Sequence, residues 1–97
     1  MISLDQKMPG EIALEVAQRV RRRRKEMRLT QEQMARKAGM SLASYKRFEQ
    51  KGLIALDSLI RVAIACRCEE DFDQLFARRH YASIQEVIDE QRASSRR

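Results

Sequence analysis

Apolar residues recur at helical spacing along most of the chain, and the first such stretch begins after Pro9 and Gly10. This spacing predicts a long first helix over about 11–27, since proline is favoured in the first turn of a helix. The residues on or near its apolar face are Ile12, Val16, Val20 and Met27.

Two short helices are predicted next, and capping residues delimit each of them. Thr30 and Gln33 form a capping box, in which each side chain accepts the backbone amide of the other residue. Gly39 ends the second helix because glycine readily adopts the left-handed conformation of a sharp turn. Ser41 is a suitable N-cap for the third helix, which stops before Gly52.

The second half of the chain predicts three more helices, over about 56–66, after residue 71 and over about 84–91. The residues that the fourth helix is expected to turn inward are Leu56, Leu59, Ile60, Ala63 and Ile64. The fifth, preceded by Glu69, Glu70 and Asp71, carries Phe72, Leu75 and Phe76. The sixth starts at a capping box, Ser83–Glu86, and is expected to bury Ile84, Val87 and Ile88. We expect the tail, Ala93–Arg97, to be disordered.

Composition supports an all-α chain, because 97 residues include 3 Gly and 1 Pro and no strand-like alternation. A hydrophobic share of 43% can bury one modest core, and a charged share of 35% indicates a soluble protein. No apolar run approaches the roughly 20 residues of a membrane span, and the N-terminus lacks the apolar run of a signal peptide. We therefore expect a cytoplasmic protein with no membrane partner.

Positive charge is concentrated on the first helix. The net charge is +6, and residues 19–28 alone hold seven basic side chains and one acidic one. A charge run of this kind is often no more than a solvated helix face. At this size a basic balance also favours a polyanionic partner, such as a nucleic acid or an anionic surface.

Residues 31–50 have the spacing of a helix-turn-helix. Two short helices that cross steeply need a small side chain where their axes approach, and Ala35 occupies that position. The turn needs a residue that tolerates positive φ, and Gly39 follows four residues later. The positions that must be apolar to seal the unit are Met34, Ala38, Met40, Tyr45 and Phe48, and all of them are.

With this motif, residues of about 16–76 resemble the lambda-repressor/Cro-like helix-turn-helix family. The segments that carry the resemblance are Leu29–Ala35, Gly39–Ser41, Arg47–Glu49 and Leu59–Ala65. The resemblance implies a five-helix lambda-repressor-like DNA-binding domain, whose third helix enters the major groove. It also implies a transcriptional regulator, acting as a repressor and gripping a two-fold operator as a homodimer.

The resemblance also implies residue roles. Gln31, at the N-terminus of the second helix, would contact a phosphate of double-stranded DNA. Arg47 would pair with a guanine edge, while Lys46 would neutralise phosphate. The other residues assigned to the DNA-binding surface are Ser41, Leu42, Ala43, Ser44 and Lys51. Among residues given structural roles, Arg24 and Glu49 would form a partly buried salt bridge, and Tyr45 and Phe48 would pack in the core.

Five residues depart from the family pattern. Leu42 and Ala43 can touch a thymine methyl but cannot read hydrogen bonds, so base readout is expected to be narrow or to depend on DNA shape. Arg28 stands where relatives often have glycine, which predicts a different first turn. Arg23 replaces a usually apolar residue and is expected to enlarge the basic face, and Ala55 lacks the usual side-chain cap before the fourth helix.

Catalysis and metal binding find little support in the chain. There is one histidine, His80, and no glycine-rich phosphate loop, and no nucleophile has a base at useful spacing. Cys66 and Cys68 are too few for a structural zinc site, and we expect buried, unreactive thiols. We therefore expect no enzyme, no metal and no cofactor.

Two alternatives remain open. Proteins of this size and motif also serve as antitoxins, which bind a toxin partner and repress their own operon, and the stretch from Ser83 could be the partner-binding arm.

We expect a flexible N-terminus over 1–10, the DNA-binding domain over 11–78, and a C-terminal helical extension with a basic tail over 79–97. The sixth helix packs either on its own domain or across a two-fold axis, and we favour the latter.

Overall fold

The computed structural model describes residues 6–79 and 84–95, which fold into helices without a strand in those ranges. The helices are α1 (Pro9–Glu26), α2 (Gln31–Ala38), α3 (Leu42–Lys51), α4 (Leu56–Ala65), α5 (Asp71–Gln74) and α6 (Ile84–Ser95). The first helix packs on α3, and α2 packs on both α3 and α4. The predicted all-α architecture is confirmed.

The predicted caps of α2 and α3 are present. The Gln33 amide donates to Thr30 Oγ1 at 3.1 Å, and the Thr30 amide donates to Gln33 Oε1 at 2.9 Å. Gly39 ends α2 with φ +67°, and Ser41 Oγ accepts the Ser44 amide at 3.1 Å. Local hydrogen bonds therefore fix both ends of α2 and the start of α3.

Gly52 ends α3 and also lets α3 approach α1. Its φ is +71°, and a Cβ atom placed on it would lie 2.8 Å from the carbonyl carbon of Ala13 and 2.9 Å from Ala13 Cβ. Only glycine meets both the backbone and the steric requirement there. The end of α3 is thus set directly against the front half of α1.

The core forms around the crossing of α2 and α3. Ala35 is 2% exposed, in agreement with the predicted close approach of the two helices. The rings of Tyr45 and Phe48 are buried and meet edge to face, with centroids 6.1 Å apart. The buried residues are Ala17, Met34, Ala35, Ala38, Tyr45, Phe48, Val62 and Cys66, and Met40 packs against them half-buried. The predicted core of the helix-turn-helix is confirmed.

The predicted inner faces of α1 and α4 are wrong at four residues. Ile12 is 50% exposed, and on α4 the predicted Leu56, Ile60 and Ile64 are 62%, 36% and 55% exposed. The face of α4 that meets the core is formed by Leu59, Val62, Ala63 and Cys66. Because apolar residues surround α4 on nearly every side, their spacing does not indicate which face is buried.

The fifth helix is a single turn, shorter than predicted. It ends at Gln74 because Leu75 takes an extended conformation with ψ 121°. Phe72 is half-buried, but Leu75 is 50% exposed and Phe76 is 95% exposed, at φ +60°. The prediction that a fifth helix carries all three residues is therefore wrong beyond Phe72.

The sixth helix runs to Ser95, so residues 93–95 are helical and the predicted disorder of the tail is wrong there. Ile88 is 36% exposed and not buried as predicted, and the helix-to-helix contacts of the described residues include no extensive packing of α6. The Ser83–Glu86 capping box, the burial of Ile84 and Val87, and residues 96–97 lie outside what the structure describes. At the other end of the chain α1 begins at Pro9, before residue 11, and Lys7 pairs with Glu15 at 2.8 Å.

Candidate nucleic-acid interface

The third helix has one buried side and one exposed side. Tyr45 and Phe48 fix its inner side in the core. On the outer side Ala43, Lys46 and Arg47 are exposed within one turn. Of the other predicted contact residues on this helix and its cap, Ser41, Ser44 and Lys51 are exposed and Leu42 is half-buried. The structure thus brings the predicted α3 residues together on one accessible surface.

The start of α3 presents a pair of hydroxyl groups. Ser41 Oγ accepts the Ser44 amide and donates to Ser44 Oγ at 2.8 Å. Because one hydroxyl of this pair donates to the other, the second hydroxyl keeps its proton for an external acceptor. The pair can therefore donate one hydrogen bond to a phosphate or a base edge.

Arg47 borders a cleft of about 370 Å³ between α3 and the beginning of α4. The cleft is also lined by Ser44, Ile54 and Ser58. Arg47 makes no ion pair with any residue in 6–79 or 84–95, and neither does Lys46. Both cations can therefore approach a polyanion without first breaking an internal contact.

A buried salt bridge joins α1 to α3, as the resemblance implies. Arg24 Nε donates to Glu49 Oε2 at 2.7 Å and Arg24 Nη2 to Glu49 Oε1 at 3.1 Å, a bidentate pair. The third donor, Nη1, reaches the Leu29 carbonyl at 2.8 Å, and Arg24 is 8% exposed. Burial alone would raise the pKa of Glu49, but its contacts with Arg24, Tyr45 and Gln31 hold that pKa below its ordinary value.

Gln31 is connected to the same pair. Its Nε2 donates to Glu49 Oε1 at 3.1 Å, so the side chain is held against the C-terminal half of α3 and is half-buried. The buried Tyr45 hydroxyl lies beside the carboxylate without a hydrogen bond of normal geometry. This network sets the position of the α2 N-terminus relative to α3. It is a structural role for Gln31 that the sequence did not indicate.

The basic face of α1 is smaller than the sequence suggested. Arg24 is committed to Glu49, and Arg23 does not simply face solvent as predicted. Arg23 Nε donates to the Cys66 carbonyl at 3.3 Å and Nη1 to Glu26 Oε2 at 3.3 Å, because its side chain lies against the end of α4. The exposed basic residues that remain in this stretch are Arg19, Arg21, Arg22, Lys25 and Arg28.

Two arginines have structural roles at the two ends of α2. Arg28 has φ +58°, the conformation that a glycine would supply, so the predicted change of the first turn is wrong. Sequence reasoning missed Arg61, whose Nε donates to the Ala38 carbonyl at 3.0 Å and satisfies the C-terminal end of α2. The only available signal was a cation on a neighbouring helix. Ala55 makes no side-chain cap, as expected.

Within residues 6–79 and 84–95 no His, Cys, Asp and Glu side chains cluster in a way that could hold a metal ion. Cys66 is buried, which raises the pKa of its thiol to about 11, and the half-buried Cys68 donates from Sγ to the Cys66 carbonyl at 3.4 Å. No helix in the same ranges is long and apolar enough to cross a membrane. His80 lies outside the described residues.

Comparison with known protein families agrees with this geometry. The helix-turn-helix family model of the lambda repressor/Cro type matches residues 20–72, which is more than half of the chain and includes α2, α3 and α4 in full. No individual curated protein matches the chain in sequence. The chain therefore belongs to the lambda repressor/Cro-like helix-turn-helix family of DNA-binding regulators.

Proposed function

We propose that this protein is a sequence-specific transcriptional repressor, which acts in the cytoplasm as a homodimer on a two-fold operator in double-stranded DNA. The observation that carries the proposal is α3, held in the core by Tyr45 and Phe48 while Lys46 and Arg47 are exposed and uncommitted. A helix held rigidly on one side and cationic on the other is suited to the major groove.

The proposed base readout comes from the first turns of α3. Arg47 has the planar donor pair that matches the O6 and N7 atoms of guanine. Ser44 adds a hydroxyl donor, and Leu42 and Ala43 add apolar contacts that suit a thymine methyl. A surface with one strong hydrogen-bonding side chain predicts a short recognised sequence on each half-site.

The proposed phosphate contacts lie on either side of this surface. The backbone amides at the start of α2 point out of the helix next to Gln31, and the helix dipole favours an anion there. Lys46 and Lys51 supply mobile charges that neutralise phosphate without reading sequence. Because Gln31 is hydrogen-bonded to Glu49, phosphate binding at α2 also positions α3.

The proposal of a dimer rests on the number of base pairs needed to specify one operator. The proposal of repression rests on where a bound dimer would lie. One module of this size reads only a few base pairs, which does not distinguish an operator from the rest of a genome. Two modules with recognition helices about 34 Å apart would read adjacent major grooves of one duplex face. A dimer that occupies such an operator would block the access of RNA polymerase to an overlapping promoter.

Selection of bound duplexes from random DNA tests the proposal. We expect an enriched sequence with two-fold symmetry, and an affinity whose logarithm falls with the logarithm of salt concentration by about 0.9 for each phosphate contacted. With about five to eight contacts in a dimer the slope would lie near −4.5 to −7. No enrichment together with a slope near zero would contradict DNA binding as the function.

The antitoxin role is a second candidate, favoured by one observation. The sixth helix lies beyond the residues that match the family, and among the described residues it makes no extensive packing with another helix, as expected of an arm for a protein partner. Co-expression with the product of a neighbouring gene would decide. Rescue of growth that depends on residues 84–95 supports the antitoxin role, whereas a neighbouring product without toxicity excludes it for that pair.

A further inference from the structure

A groove of about 300 Å³ lies between α1 and the end of α4, and no residue of α2 or α3 lines it. Its apolar lining consists of Val16, Val20, Leu59, Ala63, Phe72 and Leu75. The fifth helix is a single turn of four residues and lines one edge of the groove through Asp71 and Phe72. Uncovered apolar surface of this kind is a typical site for a protein contact.

The wall of the groove formed by α1 is basic. Arg19 and Arg23 line it, while Asp71 is the acidic residue among the lining side chains. An apolar groove with two arginines along one wall favours an apolar helix face with acidic neighbours. Beyond the residues that line the groove, the C-terminal part of the chain contains a segment of that description.

The segment is α6. Its register places positions 84, 87 and 88, all aliphatic, at the i, i+3, i+4 spacing of one helix face. Between 84 and 91 the sequence has three acidic residues, Glu86, Asp89 and Glu90, and no basic one. A helix of 12 residues is marginal alone in water, so α6 needs a surface to pack on.

Among the α6 residues whose side chains the structure describes, 88–93, none lines the groove. Glu90 of α6 forms an ion pair with Arg79, in the segment that leads into the helix, and Ile88 stays 36% exposed. The radius of gyration is 18.0 Å, against about 12.5 Å for a compact chain of this length. The groove and the Ile88 side chain are therefore both accessible in the same molecule.

We propose that α6 of one copy inserts into the α1–α4 groove of a second copy, and that the exchange is reciprocal about a two-fold axis. One symmetric operation then covers two grooves and two helices, as closed dimers require. Phe76, which is 95% exposed beside the groove residue Leu75, would lie next to the inserted helix. The inference rests on the proposed function in one respect, the need for two recognition helices.

Sedimentation equilibrium over a concentration series tests the exchange with three lysine variants of the full chain. Leu75→Lys places a charge in the groove, and Ile88→Lys places one on the apolar face of α6. Each is expected to weaken dimerisation by about 30-fold or more, because a charge at the centre of an interface is left unpaired. Ile64→Lys is the matched control, since Ile64 is 55% exposed against 50% for Leu75 but lies outside the groove.

A mixture of the Leu75→Lys and Ile88→Lys chains tests whether the contact is made between copies. In a reciprocal exchange the heterodimer contains one intact groove filled by one intact helix, so it should form more tightly than either variant alone. A monomeric full chain, an equal loss with Ile64→Lys, or no gain on mixing would each overturn the proposal.

The DNA-binding function is followed separately in the same samples. Binding to a random duplex at low salt should be kept by all three variants, because none of them touches α2 or α3. Loss of the dimer with DNA binding intact would concern only the interface. Loss of DNA binding by the parent chain would count against the proposed function and leave the dimer test unaffected.

Discussion

The α2–α3 unit and the segment after α4 both contain large apolar residues, but they place them differently. In the first, Met34, Tyr45 and Phe48 are fully buried. In the second, Leu75 and Phe76 are 50% and 95% exposed. The unit proposed to read DNA has its apolar residues buried within one chain and is pre-positioned, whereas the C-terminal segment leaves Leu75 and Phe76 exposed, and we propose that a second copy covers this segment. Preorganisation of a binding surface lowers the cost of ordering it on DNA.

The largest expected difference between the two regions is in the loss of folding free energy when one side chain is truncated. Glu49→Ala leaves the Arg24 guanidinium buried without its carboxylate, which typically costs about 3–5 kcal/mol of folding free energy. The matched change in the C-terminal segment, Leu75→Ala, should cost no more than about 0.5 kcal/mol because the side chain is half exposed already. Denaturant unfolding at a concentration where the chain is monomeric measures both. Equal effects would remove the contrast.

The same residue predicts a pH dependence. The pKa of Glu49 is depressed in the folded protein below its ordinary value of 4.5, so the stabilisation it provides is present above about that pH. It is lost as the pH falls through the folded pKa, because protonation then breaks the pair. Glu49→Gln should flatten this acid slope, and an unchanged slope in the variant would contradict a charged pair.

Overpacking tests the helix crossing. Ala35→Leu inserts extra volume where the side chain is 2% exposed, at a typical cost of about 1–3 kcal/mol. Ala43→Leu makes the same substitution on the exposed side of α3 and should change stability little. Thermal unfolding compares the two variants. An Ala35→Leu protein with an unchanged midpoint would show that α2 and α3 do not approach closely at this residue.

Alanine substitutions at two glycines distinguish the free-energy cost of backbone strain from that of a steric clash. Gly39→Ala meets no atom within 4 Å and should cost only the left-handed strain, about 1 kcal/mol. Gly52→Ala adds a clash at 2.8 Å with the backbone of Ala13, so it should lose clearly more. The difference between their unfolding free energies isolates the contact of α3 with α1. Equal losses would mean that α1 moves away without cost.

The sequence predicted the N-terminal two thirds well because its signals are local. The Thr30–Gln33 box, the Ser41 cap and the left-handed glycines each depend on neighbours within a few residues. The predicted burial of the α4 residues was wrong because α4 is apolar on nearly every side, and their exposure depends on which of its faces meets α2. The Arg61 contact with Ala38 joins residues far apart in sequence, so no local sequence pattern predicts it.

The predictions for the fifth and sixth helices were wrong for another reason. The apolar spacing at Leu75 and Ile88 predicts burial, but both side chains are exposed in the single chain, and the dimer exchange proposed above would cover them. Within the site, the placement of Lys46 and Arg47 on the outer side of α3 followed from helical spacing. The attachment of Gln31 to Glu49 did not, because it depends on how α2 and α3 cross.

The central claim is that α3 reads DNA sequence through Arg47, and one paired measurement tests it most directly. On the best selected site Arg47→Ala should cost about 1–3 kcal/mol of binding free energy and relax the preference at one base pair. Lys46→Ala, one residue away and equally uncommitted, should weaken binding to all sequences alike and reduce the salt slope by about 0.9. Affinity and selectivity that stay unchanged in the Arg47→Ala protein would contradict the account.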